Sequence, residues 1–221
     1  MNQTPLSNAA ESSPVQAAPS NRFLGAWVVG ALVAASGYAT LRYVVLGPVA
    51  WQQLPLYVAN KSFALAGLVL LVAAQCYRAP AVRRRLGCWG AALVTAHLAA
   101  SVVLLQPGYF PGWFTPQGQF TPAAGLALLS GVLAAVALAA LWLVSLLGRE
   151  GSGSSGGSLL LGGGSLVLGL SALHLVSMGA SGWLTPSRWH GSLPPITLLG
   201  FLLVLGALLW RGLPARLRRR G

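Results

Sequence analysis

Six stretches of the chain stay apolar for long enough to cross a bilayer, and turn-forming or charged residues separate them. They cover about residues 24–45, 61–77, 86–106, 122–147, 159–180 and 195–210. A helix needs about 20 mostly apolar residues to span the hydrocarbon core. Lipid offers no partner for backbone N–H and C=O groups, so each run must satisfy its own hydrogen bonds as a helix. The pattern predicts an all-α polytopic membrane bundle of six transmembrane helices.

The connecting segments differ in character. RAPAVRRR after the second run is short and strongly basic. QPGYFPGWFTPQGQFTP after the third is uncharged and aromatic. GREGSGSSGGS after the fourth is flexible, and SGWLTPSRWHGSLPP after the fifth is rich in Trp and Pro. Assigning sides alternately sorts the cations. Arg22, Arg78, Arg83, Arg84, Arg85, Arg149, Arg211, Arg216, Arg218, Arg219 and Arg220 fall on one side, and Arg42, Lys61 and Arg188 on the other. The bias of Lys and Arg toward the cytoplasm predicts that both termini are cytoplasmic, and the outer loops carry an interfacial aromatic belt.

Composition agrees. Of 221 residues, 55% are hydrophobic and 7% charged, against about 25% charged in a soluble domain. The expected organisation is a disordered cytoplasmic tail over 1–22, one membrane domain over 23–211 and a basic cytoplasmic tail over 212–221. The N-terminus lacks the basic start of a signal peptide, and the apolar run behind it is too long for one. The expected location is the plasma membrane, the inner membrane of a bacterium. The net charge of +12 sits at the ends of apolar runs, where it sets topology and meets anionic lipid. No basic domain or stacking platform points to nucleic acid.

Against this background two histidines stand out, in LVTAHLAAS and LSALHLVSM. His97 lies ten residues before Pro107, and His174 nine before Trp183. At 1.5 Å per residue both are about 14–15 Å below the same boundary, on helices that run the same way. An ionisable residue within the membrane is a functional-site hypothesis by default, and neutral imidazole is a common iron ligand. Two such histidines on facing helices would clamp one b-type haem as axial ligands. With no open position, that iron would carry electrons. Small residues one turn away (Ala100, Ser101, Ser171, Ser177) leave room, although helix packing favours the same residues. The alternative is that each histidine only hydrogen-bonds across a helix interface.

KSFALAGLVLL over 61–71, the basic turn, RRRLGCWGAALVTAH and then LVLGLSALHLVSM resemble the ferric reductase-like transmembrane domain family. That family includes the membrane parts of ferric reductases and NADPH oxidases and the haem subunit of a bacterial methionine sulfoxide reductase system. The resemblance covers about residues 24–210. It implies that His97 and His174 ligate one haem near the outer face, in a membrane component of an oxidoreductase. The positions for a second, inner haem hold Arg84 and Leu161 rather than histidine. No Gly-rich dinucleotide fingerprint lies between a strand and a helix, and GGGS at 162–165 reads as a loop or helix start. Electrons would then come from a separate flavoprotein or a quinol, and pass to an extracytoplasmic acceptor.

The remaining chemistry is sparse. Lys61 opens the second run, where it reaches the headgroups or pairs with a haem propionate or quinone; Arg42 and Arg188 invite the same readings. His190 reads as loop surface, with a role beside a haem edge as the minority reading. Cys76 and Cys88 read as small packing residues, too few for a disulfide framework. The only carboxylate side chains, Glu11 and Glu150, fall outside the runs, in soluble segments, which weakens a proton-coupled transporter. The competing class is a non-catalytic scaffold or permease-like helical module with a degenerate haem site.

Overall fold

A computed structural model describes residues 21–77, 79–147 and 155–212. Of the expected tails over 1–22 and 212–221, residues 1–20 and 213–221 lie outside the described residues, as do Arg78, Arg149 and both carboxylate side chains, while Asn21, Arg22 and Gly212 belong to the first and last helices. Six helices are each long and apolar enough to cross a membrane: α1 (Asn21–Thr40), α2 (Ala59–Cys76), α3 (Pro80–Leu104), α4 (Pro122–Leu147), α5 (Ser155–Trp183) and α6 (Ile196–Gly212). Among the described residues there is no β-strand, only an isolated bridge between Phe114 and Phe120.

The helix ends correct the sequence reading in three places. α3 begins at Pro80, so most of the basic connection is helical and Arg83, Arg84 and Arg85 occupy early turns. Proline suits a first helical position because its fixed φ is already helical and its missing N–H would be unpaired there anyway. α5 begins at Ser155, so the glycines at 162–164 lie inside a helix rather than in a loop. Their missing side chains admit neighbours: a Cβ on Gly164 would collide with the Gln75 amide of α2, and one on Gly163 with Leu141 of α4. The second span reaches back to Trp51 through a 3-10 turn (Trp51–Gln53) and a π turn (Leu54–Val58).

α1 widens into a π turn over Leu41–Val45 and stops at Gly47-Pro48. Gly47, as the residue before Pro48, is pushed out of the helical region, and Pro48 has no N–H to continue the helix. Glycine suits this exit, because a Cβ there would stand 2.6 Å from the Tyr43 carbonyl oxygen.

α2 is the central helix. Half of its span is buried, against at most 22% for any other. One core cluster joins it to α1 and α3 through Leu24, Val28, Ala66, Leu70 and Leu86, and another joins it to α5 and α6 through Leu68, Val72, Leu168 and Val204. Gly67 and Gly90 let α2 and α3 approach closely, each with its Cβ position about 3.1–3.2 Å from the other's carbonyl oxygen, as small residues do in membrane bundles. α5 packs on α4 and α6, α3 touches α4 lightly, and α3 and α5 do not pack on each other. The result is a ring of α2, α3, α4, α5 and α6, with α1 outside against α2.

Large apolar side chains cover the outside, among them Val33, Val102, Val136 and Leu209, each more than half exposed. A soluble monomer does not present so much contiguous apolar surface; a lipid-facing bundle does. One end of the ring carries the loops with Trp51, Phe110, Trp113, Phe120 and Trp189. The other carries Arg83, Arg84, Arg85 and Arg211. These are called the aromatic end and the arginine end below.

Candidate functional site

The gap left between α3 and α5 is a cavity of about 370 Å³, lined by all five helices of the ring. Cofactor and small-molecule sites span roughly 300–1,000 Å³. His97 and His174 both line it, together with Lys61. The sequence placed the two imidazoles at matched depth. In the structure His97 is seven residues before the end of α3 at Leu104, and His174 nine before the end of α5 at Trp183. That difference is about 3 Å along the helix axis.

Each ring is held through Nδ1. His97 Nδ1 lies 2.6 Å from Asn60 Oδ1 and 3.2 Å from the Asn60 backbone oxygen. A backbone carbonyl can only accept, so Nδ1 carries the proton and the Asn60 amide turns its oxygen toward the ring. Ser101 Oγ donates to the same Oδ1 at 3.2 Å. His174 Nδ1 donates to the Ala127 carbonyl of α4 at 2.7 Å. Gly131, one turn further along α4, makes that approach possible: a Cβ there would stand 2.9 Å from His174 Nδ1.

With Nδ1–H engaged in both rings, each Nε2 is left as a neutral lone pair. A hydrogen bond from one ring nitrogen to a carbonyl is how proteins fix the tautomer and orientation of a metal-binding histidine. Arg42 Nε is the one buried side-chain nitrogen or oxygen without a partner among the described residues, so neither Nε2 is sealed away. The donor set is therefore two neutral imidazoles at an apolar, five-helix cavity, which fits a bis-histidine haem of the b type. No group of three or more His, Cys, Asp or Glu side chains comes together among the described residues, so the two imidazoles are the ligands on offer.

The other sequence candidates separate. Lys61 does not reach out to headgroups. It is 9% exposed, and its Nζ stands 5.3 Å from the Tyr57 ring and 5.0 Å from the Phe110 ring. Arg42 is buried away from the cavity lining, and its Nη1 donates to the Leu193 carbonyl, tying the π turn of α1 to the segment before α6. Arg188 is exposed in a 3-10 turn, and His190 is half-buried in the next one, outside the cavity lining. Cys76 is exposed rather than packed, Cys88 is partly buried, and both are free. Arg84, at the position where an inner haem would need a histidine, is exposed. At the arginine end the ring is drawn together by Arg211 of α6, which donates to Gln75 Oε1 of α2 beside Gly164 of α5.

Sequence reasoning missed Asn60, Ala127 and Gly131. Asn60 had a signal, as an amide beside Lys61 at the head of an apolar run, but starting that run at Lys61 left it out. A backbone carbonyl and a glycine leave no such trace. Compared with protein-family models and with curated proteins, the chain shows no significant match.

Proposed function

We propose that this protein is a multi-pass membrane electron carrier of the ferric reductase-like type, holding one b-type haem between His97 and His174. The observation that carries the reading is the pair of Nδ1–H bonds to carbonyl oxygens, which leaves two neutral Nε2 atoms at one cavity. Haem, when bound, would supply a one-electron couple, and His97 and His174 are the residues that would hold it. The chain's own residues do the rest. Asn60 and Ala127 hold the tautomers, and Leu68, Leu138, Val167 and Leu175 give the cavity an apolar lining. The Lys and Arg bias of the sequence supports a reading in which the aromatic end faces outward, in the plasma membrane, with electrons passing toward that face. A separate flavoprotein or quinol is the donor, and an extracytoplasmic molecule the acceptor.

A second reading has a specific observation behind it. Both imidazoles make interhelical hydrogen bonds, α3 to α2 and α5 to α4, which is all that a non-catalytic helical module would ask of them. That reading leaves both Nε2 atoms and a 370 Å³ cavity without a task. Reduced-minus-oxidised absorption spectra of the purified protein, expressed with ample haem supply, separate the two. A low-spin b-type spectrum, lost in His97→Ala and in His174→Ala, is expected. Protein free of haem under those conditions overturns the electron-carrier reading in favour of the module.

A further inference from the structure

The cavity is chemically lopsided. Lys61 is the only fully charged side chain among the described residues that line it. It lies in the first turn of α2, at the aromatic end, with Phe110 and Trp113 lining the cavity beside it. Its ammonium makes no hydrogen bond or ion pair among the described residues and rests on the faces of Tyr57 and Phe110. The chain's two carboxylates, Glu11 and Glu150, lie outside the described residues. Next to it, Asn60 turns its oxygen to His97 and Ser101, and its amide nitrogen has no partner among the described residues. Two other polar lining groups are engaged within the protein: Ser171 donates to the Val167 carbonyl, and Thr197 accepts from Trp183 Nε1.

Taking an ammonium out of water costs several kcal/mol unless an opposite charge and hydrogen bonds compensate it. Two aromatic faces offset only a small part of that cost. A neutral quinone oxygen would accept a hydrogen bond and leave the charge unbalanced, whereas a carboxylate meets both needs. We infer that Lys61, with the Asn60 amide beside it, is an anion subsite that takes a carboxylate of the cavity's ligand. The inference rests on the haem reading above and sharpens it. A bound haem would then have its propionates held by Lys61 at the aromatic end, and the quinone alternative for Lys61 is set aside.

The test compares two porphyrins in one protein. Full-length protein produced under haem limitation is titrated with protohaem and with protohaem dimethyl ester, which has the same ring without the carboxylates. Wild type is expected to bind protohaem about tenfold to a hundredfold more tightly, the effect of a hydrogen bond to a charged group. Lys61→Met is expected to bring that ratio near one by weakening protohaem alone, with the bis-imidazole spectrum kept in both complexes. Lys61→Arg is expected to retain most of the preference. A ratio unchanged in Lys61→Met overturns the subsite and leaves the haem reading standing. Equal loss of both porphyrins in Lys61→Met also overturns it, because Lys61 would then serve the fold rather than the carboxylate. A wild type that gives no bis-imidazole spectrum with either porphyrin overturns the haem reading, and the subsite with it.

Discussion

His97 and His174 reach the same chemical state by different means. The His97 ring is held by a side-chain network: Asn60 of α2 accepts from it, and Ser101, one turn along α3, donates to the same amide oxygen. The His174 ring is held by backbone, the Ala127 carbonyl of α4, reached only because Gly131 has no Cβ. A side-chain acceptor can be removed or made charged by one substitution. A carbonyl inside a helix cannot, and only the access to it can be blocked. The α2–α3 half of the cavity is therefore open to chemical tuning, while the α4–α5 half depends on clearance.

The largest expected effect ignores that difference. His97→Ala and His174→Ala should each abolish the low-spin spectrum, with haem content per protein falling more than about tenfold, roughly 1.4 kcal/mol or more. One variant losing haem while the other keeps a six-coordinate spectrum would break the symmetry of the pair.

The next effect tests clearance. Gly131→Val should push the His174 ring from Ala127, because even a Cβ would come within 2.9 Å of Nδ1. Haem occupancy is expected to drop about tenfold, with Gly131→Ala intermediate. A neighbouring glycine of α4, Gly125, meets nothing within 4 Å of its Cβ position. Gly125→Ala should leave occupancy alone, and equal losses at both positions would show that general helix packing, not ring clearance, is at work.

Tuning comes third. Asn60→Leu removes the 2.6 Å acceptor and leaves His97 Nδ1 the 3.2 Å contact to the backbone oxygen, with Ser101 Oγ at 3.4 Å. Losing the shorter of these bonds is expected to cost toward the upper end of about 0.5–1.5 kcal/mol, read as a lower thermal midpoint. Asn60→Asp should make the ligand more basic and lower the haem reduction potential, measured by potentiometric titration. No substitution at the His174 side can imitate that shift, since its acceptor is backbone. Potentials that are insensitive to residue 60 would mean the two halves do not differ in this way. Ser101→Ala is the smallest change, within about 0.5–1.5 kcal/mol for a neutral hydrogen bond, and should move stability and potential in the direction of Asn60→Leu.

The six spans were legible in the sequence because lipid leaves so few options. Hydropathy is a local property, and a long apolar run in a bilayer must be a helix wherever it packs. The rough depth of His97 and His174 followed by counting along those helices. Their ends were less legible: Pro80 starts α3 ahead of the apolar run, and Gly162, Gly163 and Gly164 stay helical because Leu141 and Gln75 pack against two of them. Only the tertiary structure decided which helices touch and which part. The close approach of α2 and α3 at Gly67 and Gly90, with α5 kept to α4 and α6, leaves α3 and α5 separated and opens the cavity between the two imidazoles. It also decided that Asn60 faces His97, that the Ala127 carbonyl meets His174, and that Lys61 turns inward under Tyr57 and Phe110. Apart from the local Lys61–Tyr57 contact, these join residues 37 to 49 positions apart in the chain. They depend on side-chain volumes at helix crossings, which the order of apolar and polar residues does not record.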